Sequence, residues 1–326
     1  MNKNYKYIIF SPYFGKLPIN FNLWLESCSY NDSFKFIIFT DDKSKFKLPE
    51  NVEIIYLSFE ELENRIQSKF DFKINLRTPY KLCDFKPTYG YVFSKYLDNC
   101  NYWGYCDLDL IFGDLKQYLP KNLEDYDKIS YMGHFCMYRN NKNINEMFMS
   151  KIKDTIDYAD ILSSSQNFAF DEIGDYGINN IFKTNGLKIY DYQINVADVT
   201  CRKENFRVSK FENGKFTHDK FKKAFVFDNG KIIAYHIENK ELKKTEYAYL
   251  HFQKRKMLNN VINLDKFIIK YNGFIDYFDI DKKNINTLFP SKYKPDLKWI
   301  KINFLGIKRR IKRTQEVKKI LSNKSS

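Results

Sequence analysis

The chain has 326 residues, enough to bury a substantial core in one large domain or two small ones. Hydrophobic residues make up 44% and aromatics 18%, a balance that suits a globular protein. The net charge of +14 sits mostly at the end: residues 291–326 hold twelve Lys or Arg against two acids, net +10, which leaves +4 for the first 290.

Six cysteines (Cys28, Cys83, Cys100, Cys106, Cys136, Cys201) show no CxxC pair and no zinc spacing, so they read as buried, reduced thiols. Met1 to Tyr7 is polar, and Ile8-Ile9-Phe10 is too short for a signal-peptide core. No apolar run approaches bilayer length. The expected location is the cytoplasm, or the inner face of the cytoplasmic membrane.

Tyr7–Phe10 reads as a first strand and about Ile19–Cys28 as a helix. Phe36–Phe39 and Val52–Leu57 are further strands. Ser58-Phe59-Glu60-Glu61 is a capping box that opens a helix to about Phe70. Pro87 is expected to open another helix, to about Leu97. A strand then runs into Asp107. Strands alternating with helices predict a mainly parallel, Rossmann-like sheet with helices on both faces. Ligands in such sheets sit at the carboxyl ends of the strands, where Ser11, Asp41 and Asp107 fall. Lys128–Met132 and Phe135–Arg139 read as strands, and Asn143–Met149 as a helix. Asp171–Thr184 is weakly helical because of Gly174 and Gly177. Asp228-Asn229-Gly230 marks a hairpin between Ala224–Phe227 and Lys231–Tyr235. Tyr247–His251 is a short strand. Residues 264–290 give no clear pattern. The expected division is 1–290 as catalytic domain and 291–326 as a basic tail.

The stretch Tyr102-Trp103-Gly104-Tyr105-Cys106-Asp107-Leu108-Asp109 ends an aromatic run on two carboxylates one residue apart. Such carboxylates converge if the strand persists, or where a turn follows it. Two anionic groups in one place favour a hard cation, Mn²⁺ or Mg²⁺, with substrate phosphates completing the shell. The plainer reading is a solvated strand end. Gly104 is a point where backbone can approach a ligand closely. Lys81, Asp84 and Lys86 precede a predicted helix start, where cations and free N–H groups hold phosphate. Tyr13 offers a surface for a nucleobase, and Asp41 or Asp42 an acceptor for base or ribose groups. His251 can complete a carboxylate-bound metal site, with Lys254 beside it for phosphate. His134 is a candidate on the acceptor side. Asp171 and Glu172 are candidates for the base that takes a proton from an acceptor hydroxyl.

Together these pieces resemble the GT-A-type glycosyltransferases of bacterial capsule and lipopolysaccharide clusters. The likeness lies in K-x-x-D-x-K-P (Lys81, Asp84, Lys86, Pro87), then W-G-x-x-D-x-D-x-I-x-G-D-L (Trp103 to Leu115), then D-E-x-G (Asp171, Glu172, Gly174). It covers roughly residues 5–255. The resemblance implies a nucleotide-sugar donor, a UDP-sugar first, bound through Mn²⁺ or Mg²⁺. It implies Asp107 near ribose and metal, and Asp109 as a direct ligand. The acceptor it implies is a hydroxyl of a growing glycan or a lipid-linked molecule. A more distant likeness is to the family-eight galactosyltransferases. Their late metal-binding His is followed by Gly and Pro-Trp, which His251-Phe252-Gln253-Lys254-Arg255-Lys256 lacks.

Trp299-Ile300, Phe304, Ile307 and Ile311 repeat at near-helical spacing among Lys308, Arg309, Arg310, Lys312 and Arg313. This reads as an amphipathic helix on an anionic membrane surface. A solvated tail or a helix packed on the domain are the plainer readings. Nucleic acid is not expected as a partner, because the charge is not spread over a folded surface. A basic binding module without catalysis is the alternative function. A phosphatase of the haloacid-dehalogenase type is a lesser one, since its Asp-x-Asp usually lies near the N-terminus.

Overall fold

The computed structural model describes residues 5–172, 174–192, 195–200, 205–212, 215–253, 255–290 and 297–325, with backbone alone at 210–212, 215–216, 297–303 and 325. The Lys254 and Cys201 expectations lie outside the described residues.

The first half builds one sheet. Strands β1 (Tyr7–Pro12), β2 (Phe34–Thr40), β3 (Val52–Tyr56) and β4 (Tyr102–Cys106) are parallel, in the order β3-β2-β1-β4. Helix α1 (Phe21–Ser29) follows β1, and α2 (Phe59–Gln67) follows β3. β1, β4 and the body of β2 are apolar on both faces because both are covered, whereas the edge strand β3 carries Glu53 and an exposed Tyr56. Ile8, Phe10, Ile37, Phe39, Trp103 and Tyr105 face one core cluster, while Tyr7, Ile9, Phe34, Phe36, Ile38 and Tyr102 face another. Helix α1 lays Phe21, Trp24, Leu25 and Cys28, spaced as one helical stripe, into the second cluster. At about 1.5–3 kcal/mol for each such side chain removed from water, this lamination is the main support of the sheet. The capping box of α2 forms as expected: Ser58 accepts from the Glu61 N–H, and Glu61 accepts from the Ser58 N–H.

The helix expected from Pro87 to Leu97 is not continuous. Residues 79–96 fold as separate single turns, among them α3 (Leu82–Phe85) and α4 (Tyr89–Val92). Pro87 has no N–H to give, and Gly90 is a poor helix former. Strand β5 (Leu110–Phe112) leaves the sheet just after β4. Then β6 (Lys128–Ile129), β7 (Phe135–Arg139) and β8 (Ile189–Tyr190) complete it as β4-β7-β6-β8, with β7 antiparallel to both neighbours. Between β7 and β8 lie α5 (Lys142–Asn145), α6 (Tyr158–Ser163) and α7 (Ile178–Thr184). The helix expected from Asp171 starts only at Ile178, because Gly174 is left-handed (φ 95°) and Gly177 precedes the helix in an extended conformation.

The second half is a correction to the single-sheet expectation. Strand β9 (Val196–Asp198) is followed by the paired β10 (Ser209–Glu212) and β11 (Lys215–His218). Strands β12 (Ala224–Asp228), β13 (Lys231–Glu238) and β14 (Glu241–Tyr247) form a meander. After β15 (Tyr249–His251) come β16 (Leu258–Asn260), β17 (Lys266–Lys270) and β18 (Gly273–Asp276). Six of these make a separate sheet, β14-β13-β12-β17-β18-β16, antiparallel except where β16 meets β18. The region left open at 264–290 therefore supplies two strands of it. The β12–β13 hairpin turns at Asn229 and Gly230, both with positive φ. A three-stranded ribbon, β5-β15-β9, connects the halves. The chain ends in helix α8 (Leu297–Ser325).

Gly104 serves the sheet, not a ligand. A Cβ there would lie 2.2 Å from the Cys136 carbonyl oxygen of β7. Gly104→Ala must push backbone against backbone, and overpacking of this kind costs about 1–3 kcal/mol. A lower urea midpoint, with the slope unchanged, is the expected result.

Candidate functional site

β4 delivers Asp107 and β5 begins one residue after Asp109, so the two acids straddle a turn between strands of different sheets. The turn brings them together, not a persisting strand. β5 pairs with β15, which places Leu110 opposite His251, and β15 pairs with β9, which places His251 beside Asp198. The ribbon thereby sets Asp107, Asp109 and His251 around one point, with a ligand atom of each within 4.8 Å of the others.

The cations opposite these acids are explicit. Lys86 Nζ donates to Asp107 Oδ1 at 2.7 Å and to the Gly133 carbonyl at 2.6 Å. His251 Nε2 lies 3.4 Å from Asp109 Oδ1, and its Nδ1 lies 2.8 Å from Asp198 Oδ1. Asp198 also accepts from Gln253 Nε2 at 3.0 Å. Burial disfavours charge on His251, but Asp109 and Asp198 outweigh it and hold the imidazole well above its usual range. Asp109 shows the converse: burial is outweighed by His251, and its carboxyl is held low. At Asp107 enclosure wins over Lys86 and raises the carboxyl. At Lys86 burial is the largest single influence and would lower it, but Asp107 and its anionic neighbours, Asp171 among them, together outweigh it and raise the ammonium well above its usual range.

Asp107, Asp109 and Lys86 open onto a cavity of about 510 Å³ at the carboxyl ends of β1 and β4, with His251 and Asp198 set behind its wall. Its wall includes Ser11, Tyr13, Lys86, Asp107, Asp109 and Arg255. Ser11 lines it with its hydroxyl already given to the Cys106 carbonyl, at 2.7 Å. The Arg255 guanidinium is held by the carbonyls of Thr200 (2.6 Å) and Tyr271 (3.3 Å).

Other expected site residues sit elsewhere. Lys81 and Asp84 are buried against each other at 2.7 Å, off the cavity wall. Lys81 also donates to the Ile161 and Gln166 carbonyls, and Asp84 accepts from the N–H groups of Phe168 and Phe170. The pair pins the 166–170 loop and is not placed to meet a phosphate. Asp41 accepts from the Gly15 N–H at 2.7 Å and anchors the loop after β1; it does not line the cavity. Asp171 is buried 3.5 Å from Lys86, and Glu172 accepts from the Gly133 N–H at 2.8 Å. Neither lines the cavity: Glu172 braces the turn that carries Lys86's second partner, and Asp171 faces Lys86 itself. Burial raises the Asp171 carboxyl well above its usual range. His134 is not an open acceptor-side group: its ring stacks on His251 at 3.9 Å, and its Nδ1 lies 3.3 Å from the Tyr249 hydroxyl. Burial, with the His251 charge behind it, pushes its pKa down to about 3.

Asp198 is the residue that sequence reading misses. Its only signal is the short run Val196-Ala197 ending on an acid, the same pattern in miniature as β4 before Asp107. Arg255 is legible only as part of a basic run.

A family model matches residues 9–278. The chain belongs to that family, DUF6625, a family of unknown function. The DUF6625 match takes in every residue of the cavity wall named above and stops short of α8. No curated protein matches the chain. Among solved structures, the apo form of the glycosyltransferase GlyE of Streptococcus pneumoniae TIGR4 aligns with a TM-score of 0.29 and 13% identity. That alignment covers 58% of this chain and 46% of GlyE, less than half of that protein.

Two predictions test this geometry. Asp84→Ala leaves the Lys81 ammonium buried without its partner, and breaking a buried pair in this way costs about 3–5 kcal/mol. A fall in the denaturant midpoint of that order is expected; an unchanged midpoint would remove the pair from the supports of the fold. The second concerns pH in metal-free protein. His251 has a raised folded pKa, so its stabilisation is complete below its unfolded value of about 6.5 and fades as pH rises through the folded value. As pH rises from about 6.5 towards the raised folded value, the melting temperature of the parent should therefore fall more steeply than that of His251→Gln. Parallel curves would show that the imidazole is not held charged.

Proposed function

We propose that the protein is a metal-dependent glycosyltransferase that moves a sugar from a nucleoside-diphosphate sugar to an acceptor hydroxyl. The observation that carries this reading is the Asp107–Asp109–His251 cluster, whose two carboxylates line a cavity at the carboxyl ends of parallel strands.

The donor set suits the metal. Two carboxylates and one imidazole match Mn²⁺, and carboxylates alone suit Mg²⁺. Asp109 and His251 Nε2 face each other across 3.4 Å with only a proton to reconcile them. Asp107, Asp109 and His251 would hold the ion, and Asp198 fixes the ring so that Nε2 is the nitrogen presented. A bound divalent cation supplies charge neutralisation for a diphosphate leaving group. The rest of the chemistry belongs to the chain. Lys86 and Arg255 put fixed positive charge on the same wall, where charge develops on the departing phosphates. Tyr13 presents an aromatic ring at the end of β1 for the base. The buried His134, kept neutral, adds no second positive charge beside His251. The acceptor is a hydroxyl of a glycan or of a lipid-linked molecule.

The test is a thermal-shift series with UDP, GDP, CDP, ADP and CMP, each with and without Mn²⁺. Ligand binding to the folded state raises the melting temperature by mass action. A Mn²⁺-dependent rise is expected, with UDP first. Asp109→Ala should keep the fold and weaken that nucleotide binding by at least about tenfold, or 1.4 kcal/mol. If no nucleotide shifts the protein, or if Asp109→Ala shifts as the parent does, the transferase reading fails.

A further inference from the structure

We propose that the first half of α8 is a docking face for an anionic lipid bilayer, and that it holds the cavity mouth at the membrane surface. The docking rests on the helix alone. The second part rests on the transferase reading and narrows its acceptor to one carried in the membrane.

The helix uses two faces for two purposes. In its second half, Val317, Ile320 and Leu321 pack on the core cluster beneath α2 and α6. Arg313 donates to the Phe168 carbonyl at 3.1 Å, and Lys324 reaches Asp160 at 2.5 Å and Asp157 at 3.1 Å. That side of the helix is settled. In the first half, Phe304, Ile307 and Ile311 are 66%, 59% and 52% exposed. At 3.6 residues per turn they form one stripe, roughly 120° around the axis from the packed residues. Lys308, Arg310 and Lys312 flank the stripe, all exposed. No acidic residue lies between Asp296 and Glu316.

Apolar side chains with cations on both flanks match the acyl boundary and headgroups of an anionic leaflet. A nucleic acid would use the cations and leave the stripe in water. A second copy of the chain would need roughly 800 Å² per partner for a stable interface, well beyond three side chains.

The helix also touches the cavity. The Arg309 guanidinium lies 5.2 Å from the centre of the Tyr80 ring, with an NH1 to hydroxyl distance of 3.5 Å. Tyr80 lines the cavity together with Lys86 and Asp107. A bilayer under the stripe is therefore separated from the cavity rim by the width of one helix, about 10 Å.

The experiment is co-sedimentation of the full chain with phosphatidylcholine vesicles, with and without phosphatidylglycerol, over a salt series. Parent protein should pellet with the anionic vesicles only, and less as salt rises. The triple variant Phe304→Ser, Ile307→Ser, Ile311→Ser should lose at least about tenfold in partitioning, given what each apolar side chain gains on leaving water. The triple Lys308→Gln, Arg310→Gln, Lys312→Gln should lose as much. Both should keep the parent melting temperature and its Mn²⁺-nucleotide shift, so loss of vesicle binding is not loss of fold. Equal binding to neutral vesicles, no binding to anionic ones, or an apolar triple that binds like the parent would overturn the proposal. So would a parent dimer that the apolar triple dissolves, or duplex DNA bound in place of vesicles. Loss of the nucleotide shift in the parent would strike the transferase reading and leave the docking result standing.

Discussion

Two carboxylates on either side of one leucine, drawn into one cavity, repel each other unless a cation faces each of them. That requirement draws groups from both halves of the molecule to one place. Asp107 is answered by Lys86, and Asp109 by His251. Lys86 stands at the right place because Gly133 receives its second hydrogen bond and Glu172 holds the Gly133 N–H. His251 stands there because β15 is clamped between β5 and β9. Remove the ribbon and Asp109 loses its counter-charge. Remove the 130–134 turn and Lys86 loses its orientation.

The ion pair between Lys81 and Asp84 belongs to the same logic, one layer further out. It is fully buried, which is tolerable only because every charged atom has several partners: two carbonyls for the ammonium and two N–H groups for the carboxylate. Those partners come from about 80 residues downstream. The pair therefore fastens the single turns before β4 to the loop that leads into Asp171.

What is legible in the sequence follows from range. The parallel strands and the Asp-x-Asp turn can be read because a short apolar run ending on acids has one natural place in such a sheet. The β12–β13 hairpin can be read because Asn229-Gly230 dictates its own turn. His251 shows itself as a histidine closing an apolar run. Asp198 does not show itself, because its strand has three residues and its partner lies 53 positions away. Lys81 and Asp84 look like surface charges at a helix start, since nothing local reports the loop that buries them. The second sheet is hidden for the same reason: β12 meets β17 across a long excursion, and neither strand is long enough to announce the pairing.

The packed half of α8 also bears on how this chain can be shortened. The family match ends at residue 278, which makes the last segment look dispensable. Yet Val317, Ile320 and Leu321 roof the cluster that holds Ile161, Leu162 and Phe168, and Lys324 offsets two acids at the start of α6. A chain cut at residue 290 would leave that apolar patch wet and Asp160 without the Lys324 cation, with only the more distant Lys151 left beside Asp157. Truncation would trade a basic helix for a sticky, self-associating surface beside the loop that Asp84 fastens.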